Sequence, residues 1–92
     1  MLQPMIRLSA HVRTVNSLDG GALLDLRQGR MYRVNGVGSM VLELLAAGNS
    51  EDVIAREISE RCGVARDTAL ADVRDFVASL RQNALVADDG KP

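Results

Sequence analysis

The sequence predicts a single α+β domain of the winged helix-turn-helix type, with a three-stranded antiparallel sheet followed by a three-helix bundle. Three observations carry this prediction. Alternating apolar and polar residues dominate the first third of the chain, apolar residues at helical spacing fill the rest, and turn clusters separate the segments. The 92 residues suffice for one hydrophobic core, so we expect one domain over residues 1–92 with an ordered core at about 8–86.

The strands are predicted at residues 8–15, 22–26 and 30–34. In the first strand, Leu8, Ala10 and Val12 alternate with polar residues, which is typical of a strand buried on one face. An Asp-Gly turn follows the first strand, and a tight turn that ends at Gly29 follows the second. Because a three-stranded meander is only marginally stable, the rest of the chain must cover one of its faces.

The helices are predicted at residues 37–47, 51–61 and 66–82. Asn35 is a favourable N-cap for the first helix, and Gly48 is a favourable stop. Each helix carries an apolar stripe that should face the core: Val37, Met40, Val41, Leu44 and Leu45 in the first, Val53, Ile54, Ile58 and Cys62 in the second, and Ala69, Leu70, Val73, Phe76, Val77 and Leu80 in the third. Leu85 and Val86 should return against the core, and residues 88–92 should form a loose tail.

Composition argues against nucleic acid and membrane as partners. The formal net charge is −1, so no positive excess is available to displace counterions from a phosphate backbone. No apolar run approaches the roughly 18 residues of a membrane span, and the N-terminus lacks the pattern of a signal peptide. The single cysteine fits a reducing compartment. We therefore expect a cytoplasmic protein.

No residue set in the sequence predicts catalysis, a cofactor or a metal. The glycines at 36 and 38 do not complete a dinucleotide fingerprint, since Val41 stands where the third glycine is required, so we interpret them as packing residues at the start of a helix. His11 lacks ligand partners at metal spacing and should be a surface strand residue. Cys62 should be a buried structural thiol. We expect no enzyme.

The strand at 30–34 is the feature that favours a binding function. It is a potential sheet edge, and an edge strand exposes backbone N–H and C=O groups. Arg30 and Arg33 blunt this edge, but Met31, Tyr32 and Val34 leave an apolar line beside them. Such an edge can pair with an extended peptide, in a groove whose far wall would be the third helix. The open alternative is an edge covered by the chain's own tail.

Three segments carry a whole-chain pattern: LLDLRQGRMYRVNGVGSMVLELLAAG, SEDVIAREISERCGV and ADVRDFVASLRQNALV. Together they resemble the family of coenzyme PQQ synthesis protein D, small winged-helix-like domains also called precursor peptide recognition elements. The resemblance covers about residues 12–86. It implies a non-catalytic adaptor that binds the leader segment of a ribosomally made precursor as an added strand. Within the family, the chain most resembles the free-standing proteins of lasso-peptide pathways.

The resemblance also implies partners and a site. The partners would be the precursor's leader and a leader peptidase, a cyclase or another modifying enzyme, with the domain a monomer or a weak homodimer. The peptide would lie between the third strand and the third helix, on residues that we list as Arg30, Met31, Tyr32, Arg33, Val34, Asp72, Val73, Phe76, Val77 and Leu80.

Two other functions fit the same fold class. A winged helix-turn-helix regulator would use the third helix to read DNA, but that helix carries Asp67, Asp72 and Asp75 beside its arginines, which disfavours phosphate contact. A small structural subunit with no peptide ligand is the third possibility.

Overall fold

The computed structural model describes residues 5–17 and 19–89, and the fold follows the predicted α+β order within them. The elements are β1 (Met5–Leu8), β2 (Val12–Ser17), β3 (Gly20–Asp25), β4 (Arg30–Val34), α1 (Gly36–Ala46), α2 (Glu51–Cys62), α3 (Arg66–Gln82) and β5 (Val86–Asp89). β2, β3 and β4 form an antiparallel sheet in that order. The predicted meander followed by three helices is therefore confirmed, and the bounds of β4 and α3 agree with the prediction.

The main sheet turns one face to the core and leaves the other largely open. Thr14 pairs with Leu23, and Leu23 pairs with Tyr32, so these three side chains share the inner face. Leu23 is buried on that face. On the outer face, Val15 and Met31 are both 60% exposed. The helices thus cover a single face of the sheet, as the marginal stability of an isolated meander requires.

The single strand predicted at 8–15 is wrong, because the chain turns at residues 9–11 and makes two strands. Ser9 N–H donates to Leu85 O at 2.9 Å, and Val12 N–H donates to Ser9 O at 3.0 Å. β1 then pairs with β5 in a separate two-stranded sheet. The return of the chain after Leu85 is confirmed. Asp88 and Asp89, predicted as loose tail, belong to β5, and residues 90–92 lie outside the described chain.

The turn at 9–11 is tied to the turn between β3 and β4 by a buried carboxylate. The Asp25 side chain is fully buried, and its Oδ1 accepts the backbone N–H groups of Arg27 and Gln28 at 3.0 and 3.1 Å. His11 Nε2 lies 3.7 Å from the same oxygen, and the His11 side chain is only 15% exposed. The expectation that His11 is a surface strand residue is therefore wrong, because the turn directs it inward.

The caps that were predicted for α1 are present. Asn35 Oδ1 accepts the N–H of Gly38 at 2.8 Å, which satisfies one of the free donors of the first turn. Gly48 follows the C-cap with a φ of +90°, a left-handed conformation that glycine adopts without steric cost. α1 therefore starts at a fixed point directly after β4.

Helix burial departs from the predicted stripes in two places. α1 is buried on two sides, because it lies between the sheet and α2, so Leu42 and Ser39 are buried off the predicted stripe while Val37 is 41% exposed. In α2 the expected buried thiol is wrong, since Cys62 is exposed at the C-terminal end and Ala55 takes a buried position instead. The core consists of Val12, Leu23, Val41, Leu42, Leu45, Ile54, Ala55, Ile58, Ala69, Val73, Val77, Leu80, Leu85 and Val86.

Candidate functional site

β4 presents a free backbone edge, and its open groups can be identified from the ladder. Leu26 N–H donates to His11 O at 2.9 Å, so every second residue of β3, counted back from Leu26, forms its backbone hydrogen bonds with β2. Because antiparallel pairs alternate, the neighbouring β3 residues bond toward β4. Tyr32 therefore uses its backbone groups within the sheet, whereas Met31 and Arg33 direct theirs away from it. Strand addition at β4 would engage these two residues.

An apolar cavity of about 310 Å³ lies beside the end of β4, where the three helices meet. The first turns of α1 line one side of the cavity, α3 lines a second side, and α2 lines the remainder. The lining is mostly hydrocarbon, from Asn35, Val37, Gly38, Val41, Ile58, Asp72, Val73 and Phe76. The Oδ1 atom of Asn35 is already engaged by the helix cap. This cavity is suited to an apolar side chain.

Gly38 brings the strand and the third helix together at this cavity. A Cβ atom built on Gly38 would lie 3.1 Å from the Cβ of Val34 and 3.4 Å from Cε1 of Phe76. Val34 at the end of β4 and Phe76 on α3 are thus separated by little more than the backbone of α1. The groove predicted between β4 and α3 is closed at this end by the first turn of α1.

The ten residues predicted for the site fall into three groups of exposure. Arg30, Met31, Arg33 and Asp72 are exposed, and Tyr32, Val34 and Phe76 are half-buried against the core. Val73, Val77 and Leu80 are buried, at 1%, 0% and 6% exposure. The structure brings Asp72, Val73 and Phe76 to one cavity, while Val77 and Leu80 pack in the core behind the α3 wall.

The predicted apolar line along β4 is divided between two faces. Tyr32 and Val34 lie on the inner face and pack on the core, whereas Met31 lies on the outer face, away from the cavity. Sequence reasoning missed the α1 residues of the cavity, chiefly Val37 and Gly38. The available signal was a glycine in the first turn of a helix that directly follows a strand, which indicates a close approach of backbone and neighbour.

The charges around the cavity are separated by element. Arg30 is exposed on the inner face of the strand, whereas Arg33 is exposed on the outer face beside Met31, so the rim contact expected of Arg33 is wrong. Asp72 is exposed at the mouth of the cavity on α3. Within residues 5–17 and 19–89, no group of three His, Cys, Asp or Glu side chains is placed to hold a metal ion. No described helix is long and apolar enough to span a membrane. The site can therefore offer backbone pairing, an apolar cavity and a charged rim.

A second, larger cavity of about 630 Å³ lies on the other side of α1. It includes Asn16 of β2, Met40 of α1 and the exposed Cys62 at the end of α2. The side chain of Asn16 is hydrogen-bonded to Ser39 Oγ at 2.7 Å. This cavity has no α3 wall and does not adjoin β4, so the combination found at the first cavity is absent there.

Comparison with known proteins finds a matching family model and solved structures that are similar to this chain. The family model for coenzyme PQQ synthesis protein D matches residues 20–86. The chain is similar to the structure "TbiB1 in complex with the TbiA(beta) leader peptide", with a TM-score of 0.80, 29% identity, and coverage of 94% of this chain and 98% of that chain. It is also similar to "lasso peptide synthetase B1 complexed with the leader peptide", with a TM-score of 0.80, 26% identity, and coverage of 89% and 96%. Curated protein sequences give no match.

Proposed function

The chain belongs to the coenzyme PQQ synthesis protein D family, and from that premise we propose that it is a non-catalytic adaptor for a ribosomally made precursor peptide. It would capture the leader segment of a lasso-type precursor by strand addition along β4 and present it to a modifying enzyme. The observation that carries the proposal is the free edge of Met31 and Arg33 beside an apolar cavity on α3. The two structural relatives, each solved with a leader peptide, support it.

The bound peptide would extend the main sheet by one strand. Its backbone would bond to Met31 and Arg33, so affinity would come largely from groups that every peptide carries. Alternate side chains would point toward the inner face, where Val73 and Phe76 form the apolar wall. Asp72 would offer a polar contact at the rim. The remaining residues of the predicted site are Arg30, Tyr32, Val34, Val77 and Leu80, of which the last two would stabilise the wall from behind.

The proposed partners are the leader peptide and the enzyme that acts on it. That enzyme would be a leader peptidase, a cyclase or another modifying enzyme, since this chain itself would supply binding and presentation only. The proposal includes a cytoplasmic location, which the single cysteine favours. We propose that the domain acts without cofactor or metal.

Peptide binding is favoured over DNA binding by the charge of α3. A DNA-reading helix needs an excess of donors toward phosphates and base edges. α3 instead exposes three aspartates beside its three arginines, so it carries no positive excess. A short random duplex, tested by fluorescence anisotropy at low salt, should therefore not bind.

The proposal can be tested with a displayed library of random peptides about 20 residues long, enough for one strand and its flanks. The full chain should enrich extended peptides with recurrent apolar positions. Amide exchange with a selected peptide should then show new protection at Met31 and Arg33. New protection along β2 instead would place the peptide on the opposite edge, and a library without any enriched sequence would contradict the proposed function.

A further inference from the structure

Gly38 occupies the closed end of the groove, where three elements converge. It is buried, its N–H is held by Asn35 Oδ1 at 2.8 Å, and it lines the apolar cavity. The site of its missing Cβ is 3.1 Å from Val34 Cβ and 3.4 Å from Phe76 Cε1. Gly38 is helical, with no left-handed φ, so its backbone conformation does not require glycine. Space is the reason for glycine at this position.

We propose that Gly38 is the specificity-determining residue of the groove, because it sets the size of the one peptide side chain that enters the cavity. This inference rests on the proposed function and names a property of the same site. An added methyl group would occupy cavity space directly. It would also lie 3.1 Å from Val34 Cβ and 3.4 Å from Phe76 Cε1, so these neighbours would have to shift by a few tenths of an ångström.

The cavity also fixes the chemical class of that side chain. Its walls are hydrocarbon, from Val37, Val41, Ile58, Val73 and Phe76, and the Oδ1 atom of Asn35 is engaged by the α1 cap. A polar group that entered would lose its water without gaining a partner, which is unfavourable. Asp72 is exposed at the mouth and leaves the interior apolar. The accepted side chain is therefore apolar, and leucine is a suitable probe for its size.

The test compares the full chain with Gly38→Ala in selections from the same displayed peptide library. The native chain should enrich large aliphatic residues at one peptide position. Gly38→Ala should shift that position to valine or alanine, and the ratio of affinities for the leucine and alanine forms of one selected peptide should fall about tenfold. An unchanged ratio would overturn the proposal.

Further variants separate selectivity from folding. Ala46→Gly, at an exposed position of the same helix, changes helix propensity without touching the cavity, and it should leave the affinity ratio unchanged. Val34→Gly removes the Cβ atom that would lie 3.1 Å from the added Cβ of Gly38→Ala, so the double variant Gly38→Ala with Val34→Gly should restore part of the preference for leucine. Val37→Ala alone enlarges the cavity from a position that is 41% exposed. It should favour still larger side chains, which keeps the proposal testable if Gly38→Ala does not fold.

The failure of this inference can be told apart from the failure of the proposed function. If neither the native chain nor the variants enrich any peptide, the adaptor function itself is contradicted. If peptides are enriched but the preferred size is the same in all variants, strand addition stands and the role of Gly38 is wrong. A shift in Ala46→Gly equal to that in Gly38→Ala would assign the effect to helix stability and would also overturn the proposal.

Discussion

The two edges of the main sheet differ in what their backbone groups already do. At β2, the N–H of Val12 donates to Ser9 O at 3.0 Å, and its C=O accepts from Arg13 Nη1 at 3.0 Å. At β4, Met31 and Arg33 form no backbone hydrogen bond outside the β3–β4 ladder within the described chain. The β2 edge is thus blocked at Val12 by its own turn and an arginine, whereas no such bonds block the β4 edge.

The difference shows how a sheet edge can be protected or kept available. A charged side chain and a local turn engage backbone groups of β2, and natural edge strands are commonly protected in this way. At β4 the arginine side chains are exposed, but the cavity on α3 lies next to the strand end. A peptide that adds to β4 gains both backbone pairing and apolar burial. A peptide at β2 would first have to displace the bonds of Val12.

The largest expected effect comes from proline substitutions along β4, and it should alternate. Arg33→Pro and Met31→Pro each remove a donor that faces the peptide. The peptide carbonyl left unpaired in the complex costs about 1–3 kcal/mol, so affinity should fall about 10- to 100-fold. The melting transition should be largely kept, because these donors are not used within the sheet. Tyr32→Pro removes a donor of the β3–β4 ladder and should disrupt folding itself. Calorimetry and thermal melts measure the two outcomes.

Thr14→Pro is the matched control on the opposite edge. Thr14 alternates with the β2 residues that bond to β3, so its N–H faces outward as that of Arg33 does. The substitution should leave peptide affinity unchanged. A loss of binding in Thr14→Pro, with Arg33→Pro unaffected, would reverse the assignment of the two edges.

The next effect concerns the turn that leads into β4. Asp25→Ala removes the acceptor of the Arg27 and Gln28 N–H groups and should lower the free energy of unfolding by about 1–3 kcal/mol. Asp25→Asn keeps an oxygen that can accept these two bonds. It also removes the charge of a buried carboxylate whose Oδ2 has no hydrogen-bond partner within the described chain, so it should lower the free energy of unfolding by less than Asp25→Ala does. Urea midpoints measure both. Equal losses would show that the charge matters more than the turn bonds.

A smaller effect is expected at the start of α1. Asn35→Ala removes the cap on Gly38 N–H and should cost about 1 kcal/mol of stability. Because the capped turn is also the floor of the cavity, peptide affinity should fall as well. Ser50→Ala removes the corresponding cap on α2, where Ser50 Oγ accepts from Val53 N–H at 3.3 Å. It should lower stability without changing affinity, and an affinity loss in both would make the effect nonspecific.

The smallest effect is expected from the side chain of Arg33. Arg33→Ala removes an exposed charge on the outer face of β4 but keeps the backbone donor, so affinity should change by about 0.5 kcal/mol, or about twofold. Titration calorimetry at two salt concentrations measures it. A loss as large as that of Arg33→Pro would show that the peptide is held by charge rather than by strand pairing.

Much of the fold could be predicted from periodicity, and the errors have physical causes. The bounds of β4 and α3 were predictable because turn residues and a long apolar stripe delimit them. The break at residues 9–11 was not, because alternation is the same on both sides of a turn that contains neither glycine nor proline. Leu42 was missed because a one-stripe model cannot describe a helix that is buried on two sides.

The candidate site was predictable only in part for a related reason. A free edge and an apolar helix face can be read from the sequence, and they led to Met31, Arg33 and Phe76. The inner residues Val77 and Leu80 carry the same apolar signal as Phe76, and only the packing separates wall from core. Gly38 has no side chain to attract notice, and its importance appears only in the distances to its neighbours.

The pairing of β1 with β5 has a consequence for how the domain can be joined to other polypeptides. Met5 stands opposite Asp89 and Leu8 opposite Val86, so the two ends of the described chain emerge side by side. A domain with adjacent ends can be spliced into a surface loop of a host protein without stretching either junction. Such a fusion would raise the local concentration of a captured peptide at the host's active site without requiring a docking interface.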